Sequence, residues 1–82
     1  VRIDKFINTV NIVKRRSIAS DMIEHGVVYL NGMQVKASKE VKIGDVIEIR
    51  YLESVKRYEA LKIPTAKTIP KSAQDEYIKE LS

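Results

Sequence analysis

Gly26-Val27-Val28-Tyr29-Leu30-Asn31-Gly32-Met33-Gln34-Val35-Lys36 is the stretch in which the chain changes from one regular form to another. Beyond Gly26 the side chains follow a period of two, and Asn31-Gly32 falls between the two extended runs. An Asn-Gly pair suits a tight hairpin because both central residues of a type I′ turn need positive φ, which asparagine tolerates and glycine adopts freely. A β-hairpin is therefore expected over Val27–Lys36.

Upstream of Gly26 the period is helical. Ala19, Met22 and Ile23 share one face, with Ser17 placed as an N-cap and Gly26 as the stop. Further back, Ile3, Phe6, Ile7 and Val10 stand at i, i+3, i+4 and i+7, one apolar stripe of a first helix on which Phe6 reads as core. Downstream, Ala37–Lys42 is a polar connection and Ile43-Gly44-Asp45 a turn. Val46–Tyr51 alternates as a third strand, and Glu53-Ser54 turns the chain into a fourth over Val55–Leu61, ended by Pro64. Thr65–Ile69 lacks a period and reads as a linker, after which Ser72 caps a short helix over Ala73–Leu81. The expected class is α+β: two short N-terminal helices packed on a small twisted antiparallel sheet, then a short C-terminal helix. Residues 1–63 form the domain and 64–82 the linker and last helix.

At 82 residues and 44% apolar content the chain suffices for one folded core. It has no cysteine and a single histidine, His25, which disfavours thiolate metal sites, disulfides and redox chemistry, so no cofactor and no metal are expected. No nucleophile, base and oxyanion set can be assembled, so the chain reads as no enzyme. The absence of a long apolar run argues against a membrane span and makes a cytoplasmic address the expectation.

The net charge of +4 is unevenly spread: Arg2, Lys5, Lys14, Arg15 and Arg16 face a single early acid, Asp4, and the rest of the chain balances. Lys14-Arg15-Arg16 leads into the second helix, where cationic side chains add to the exposed N–H groups of a helix start and favour an anion. Arg15 and Arg16 stand out because a guanidinium can engage two phosphate oxygens. Asp4 has two readings: it orients a basic neighbour such as Arg2 or Arg16, or it favours the positive end of the first helix. Lys39 and Lys42 extend the basic patch or are simply solvated. Tyr29 and Tyr58 are candidates for surface packing or base stacking, and Tyr77 for anchoring the last helix.

Four segments, Arg2-Ile3-Asp4-Lys5-Phe6, Val13-Lys14-Arg15-Arg16-Ser17, Gly26–Gly32 and Val41-Lys42-Ile43-Gly44-Asp45-Val46-Ile47, together resemble the RNA-binding domain named after small-subunit ribosomal protein S4. They match in order and spacing, which is far more specific than any one alone. The resemblance implies the αL-type RNA-binding fold, with the two helices as the RNA-facing lobe and a further contact where the hairpin meets the polar loop. Carried onto matching positions, it makes Arg2, Lys5, Arg15, Arg16, Ser17, Lys36 and Ser38 candidate RNA contacts, beside Asp4, Lys14 and Lys42 from the charge reading. Because the domain nearly fills the chain, a stand-alone form is expected, similar to ribosome quality-control factors and, more distantly, to small heat-shock-induced proteins that bind free large subunits. That resemblance implies a monomer that binds large-subunit ribosomal RNA and transfer RNA on obstructed ribosomes, with a quality-control elongation factor as a further partner. Two alternatives stay open: a protein-interaction module, and a regulatory RNA-binding domain of a larger RNA-modifying enzyme.

Overall fold

The computed structural model describes residues 1–81. Helix α1 (Ile3–Thr9) and helix α2 (Arg16–Glu24) precede a hairpin of β1 (Val28–Leu30) and β2 (Met33–Gln34). Strands β3 (Val46–Arg50) and β4 (Val55–Ala60) follow, then a 3-10 turn (Lys71–Ala73), helix α3 (Gln74–Tyr77) and strand β5 (Ile78–Glu80). The five strands form one antiparallel sheet in the order β2-β1-β3-β4-β5. Asn31 (φ 51°) and Gly32 (φ 84°) make the tight turn that their sequence requires.

Alternation decides which face of the sheet is covered. Val28, Leu30, Ile47 and Ile49 point inward against Ile3, Phe6, Ile7 and Val10 of the first helical segment and Ala19 and Ile23 of α2, and all ten are buried. Burying each large side chain contributes about 1.5–3 kcal/mol. Tyr29, Glu48 and Arg57 lie side by side on the outer face. There Glu48 accepts from Arg50 Nε at 2.6 Å and Arg57 Nε at 3.0 Å, and Arg50 covers the Tyr29 ring at 4.0 Å. The outer face is thus charge-mixed, and the half-buried Tyr29 ring on it is already occupied.

Three local expectations change. Helix α2 begins at Arg16 rather than after Ser17: Arg15 is the N-cap, extended at φ −130°, with no side-chain cap bond, and Ser17 lies inside the first turn. The expected helix over Ala73–Leu81 stops at Tyr77, because Ile78 turns extended (φ −138°, ψ 152°) and pairs with Ala60 on the otherwise open edge of β4. A four-residue helix gains little by itself, whereas the strand satisfies backbone groups and buries Ile78. The stretch read as a linker also packs. Thr9 Oγ1 donates to the Lys67 carbonyl at 3.2 Å, Asn11 Nδ2 to the Ile69 carbonyl at 2.8 Å, and Ile69 joins the core.

The polar connection after β2 is what holds the start of α1. The first N–H groups of a helix have no partner within it. Here Ile3 N–H donates to the Lys39 carbonyl at 2.7 Å and Asp4 N–H to the Ala37 carbonyl at 3.5 Å, while Arg2 bridges Glu40. Buried Val41 anchors the loop, its N–H bonded to the Val1 carbonyl at 2.9 Å. Residues 36–42 are thereby brought beside the basic amino-terminal segment.

Candidate nucleic-acid interface

Asp4 is the organising residue of the basic lobe. It sits in the first turn of α1 and is 3% exposed, so its carboxylate requires compensation. Arg2 Nε lies 3.3 Å from Oδ1 and Arg16 Nε 3.3 Å from Oδ2, with longer contacts from each Nη2 at 3.4 Å. The two arginine side chains remain 50% and 48% exposed. One carboxylate therefore ties the start of α1 to the start of α2 and fixes two guanidinium planes, each with donors left for solvent or a ligand. Both readings of Asp4 hold geometrically, since it occupies the helix start and orients both arginines.

Lys5, Lys14, Arg15 and Ser17 are exposed, and the three cations form no ion pair among the described residues. Lys5 and Arg15 adjoin the clamp in sequence, so four positive charges, those of Arg2, Lys5, Arg15 and Arg16, stand against the one carboxylate of Asp4. Lys36 and Ser38, also exposed, flank this cluster through the loop whose carbonyls hold α1. Lys14, in the turn before α2, and Lys42, whose backbone N–H donates to Asp45 Oδ2 at 2.8 Å, lie at the margins without touching the clamp.

Among the described residues, no group of His, Asp and Glu could hold a metal ion, and no helix is long and apolar enough to cross a membrane. His25 caps the end of α2, its ring Nδ1 donating to the Asp21 carbonyl at 2.6 Å. Sequence reading missed the role of Gln34. Its side-chain Nε2 donates to the Gly26 carbonyl at 2.9 Å, locking the hairpin to the end of α2. The signal was Gly26 itself, whose φ of +76° a side chain disfavours and whose missing Cβ leaves room for that amide.

These features define a small α+β module that presents cations on its helical lobe and a charge-mixed outer sheet face. Residues 1–47 match the S4 domain model, and the chain belongs to the S4 domain family. It is 50% identical to the RQC P-site tRNA stabilizing factor of Helicobacter pylori over 78 residues, 95% of this chain and 93% of that protein. It is 39% identical to the RQC P-site tRNA stabilizing factor of Bacillus subtilis over 51 residues, 62% of this chain and 59% of that protein. Among solved structures, heat shock protein 15 of Vibrio cholerae, described as trimeric, superposes with a TM-score of 0.89 at 32% identity, covering 100% of this chain and 82% of that one.

Proposed function

We propose that this chain is a non-catalytic RNA-binding protein that docks on obstructed large ribosomal subunits and stabilises the transfer RNA held there. The observation that carries this reading is the Asp4 clamp, which sets Arg2 and Arg16 half in solvent at fixed orientation beside the free cations Lys5 and Arg15. Such a lobe suits a folded polyanion, because guanidinium forks pair with phosphate oxygens and clustered charge releases condensed counterions. The names of the relatives, which specify a tRNA in the ribosomal P site, point to the same kind of ligand. Ribosomal RNA of the large subunit is the second proposed contact, with Lys36, Ser38 and Lys42 extending the surface and Lys14 and Ser17 at its edge. In this reading the protein does no chemistry itself and supports tailing of the stalled nascent chain by a partner elongation factor in the cytoplasm.

The test is co-sedimentation of the purified chain with large subunits that carry peptidyl-tRNA and with empty large subunits. Preferential binding to the tRNA-carrying particle, lost in Arg16→Ala, supports the proposal. Equal binding of the variant, or binding that survives removal of all RNA, would favour a protein-interaction module instead. The mass of the free chain in the same centrifuge decides between the expected monomer and a trimer.

A further inference from the structure

An open groove of about 570 Å³ runs between α2 and the segment after the hairpin turn, within the size range of small-ligand sites. Ser20, Ile23 and Glu24 form one wall, and Gln34, Lys36 and Ala37 the other. It adjoins the cation cluster on both sides. Ser20 stands one helical turn beyond Arg16, and the Ala37 carbonyl accepts the Asp4 N–H at 3.5 Å.

The lining has an unusual composition for a bare surface groove. Glu24 and Lys36 are exposed and of opposite charge, yet they pair neither with each other nor with another side chain among the described residues. Gln34 commits its Nε2 to the Gly26 carbonyl, leaving Oε1 as the acceptor. Apolar Ile23, Val35 and Ala37 complete the lining. The groove therefore offers an apolar platform, two acceptors and one cation.

That set discriminates among bases. Guanine carries adjacent donors, N1–H and the N2 amino group, on its Watson–Crick edge, so it can donate to a carboxylate and a neighbouring amide oxygen together. Adenine and cytosine place a ring acceptor beside their single amino group, and uracil flanks its N–H with carbonyls; each would set an acceptor against either the Glu24 carboxylate or Gln34 Oε1. Single-stranded RNA is commonly read in this way, through unstacked bases whose edges reach protein groups. We propose that this groove takes an unstacked guanine nucleotide of the bound RNA, with Glu24 and Gln34 accepting from the base and Lys36 engaging its phosphate. The assignment rests on the RNA-binding reading above and names what that surface selects.

The test is a titration of the isotope-labelled full chain with GMP, AMP, CMP and UMP, followed by amide chemical shifts. GMP should move the Ser20, Glu24, Gln34 and Ala37 amides and bind about tenfold more tightly than the other three, the discrimination expected of one paired base contact. Glu24→Gln, at an exposed position, should abolish the preference while preserving the phosphate-induced shift at the Lys36 amide. Four nucleotides that move these amides alike, or that leave them unmoved, would overturn the groove assignment. Titration with inorganic phosphate keeps the two readings apart: shifts at Arg15 and Arg16 with no guanine preference remove the groove alone, whereas loss of both removes the RNA surface as well.

Discussion

Replacing Asp4 by asparagine separates orientation of the arginines from their charge. The substitution keeps the shape of the side chain but removes the carboxylate that holds both guanidiniums at 3.3 Å. Breaking a fully buried ion pair from one side costs about 3–5 kcal/mol. Asp4 is buried, but Arg2 and Arg16 are half in water and can rehydrate, which reduces the expected loss to about 1–3 kcal/mol. For a domain of this size that corresponds to a fall in Tm of about 5–20 °C, readable by circular dichroism. The RNA measurement is then made well below the variant's transition. Removing a negative charge strengthens the long-range attraction to a polyanion. If fixed orientation matters more, affinity falls in spite of the added net charge, and that fall is the expected outcome. An unchanged Tm together with equal or tighter RNA binding would refute the clamp as the device that builds this surface.

Other consequences are equally specific. Ile78→Ala should destabilise the fold by about 2–5 kcal/mol in urea denaturation, because β5 packs into the core; a loss near zero would mean that the C-terminal strand is dispensable. Gly26→Ala should cost about 1–2 kcal/mol, since φ is +76° and a Cβ would collide with the Gln34 amide that locks the hairpin; wild-type stability would show that neither constraint matters. The hydrogen bond from Arg50, followed by that from Arg57, holds the Glu48 carboxyl below its ordinary value of 4.5. Its contribution to stability is therefore present above about pH 4.5 and lost as pH falls through the depressed value. The difference in Tm between the wild type and Glu48→Gln should accordingly be seen at neutral pH and vanish in acid, and a difference independent of pH would contradict the ion pairs.

The parts of the fold written in local pattern were legible in the sequence. Ile3, Phe6, Ile7 and Val10 declared one buried helical face, Asn31-Gly32 declared its turn, and the alternation of Ile47 and Ile49 gave a strand with its inner side. What stayed hidden depended on partners distant in sequence. Tyr77-Ile78-Lys79-Glu80 carries no marker of a strand; only the open edge of β4 makes extension the better state. Thr65–Ile69 has no period, and it is held in place instead by Thr9 and Asn11, which donate to the Lys67 and Ile69 carbonyls from 58 residues away in the chain. Charge counting gathered Arg2, Lys5, Arg15 and Arg16 at the amino end, but it could not choose between the two readings of Asp4. Both are realised, because the bend after α1 returns the start of α2 to the first turn of α1. Asn11, in the left-handed region at φ 66°, takes part in that bend.

The central claim is that the cations around Asp4 neutralise phosphates while those of the outer sheet face do not. The most direct measurement is the slope of log affinity against log salt for a large-subunit ribosomal RNA fragment, compared across Arg2→Ala, Lys5→Ala, Arg15→Ala, Arg16→Ala and Arg50→Ala. The first four should each reduce the slope by about one, with Arg16→Ala weakening binding by about 1–3 kcal/mol, and Arg50→Ala should leave it unchanged. Slopes unaffected by the first four, or lowered as much by Arg50→Ala, would contradict the account.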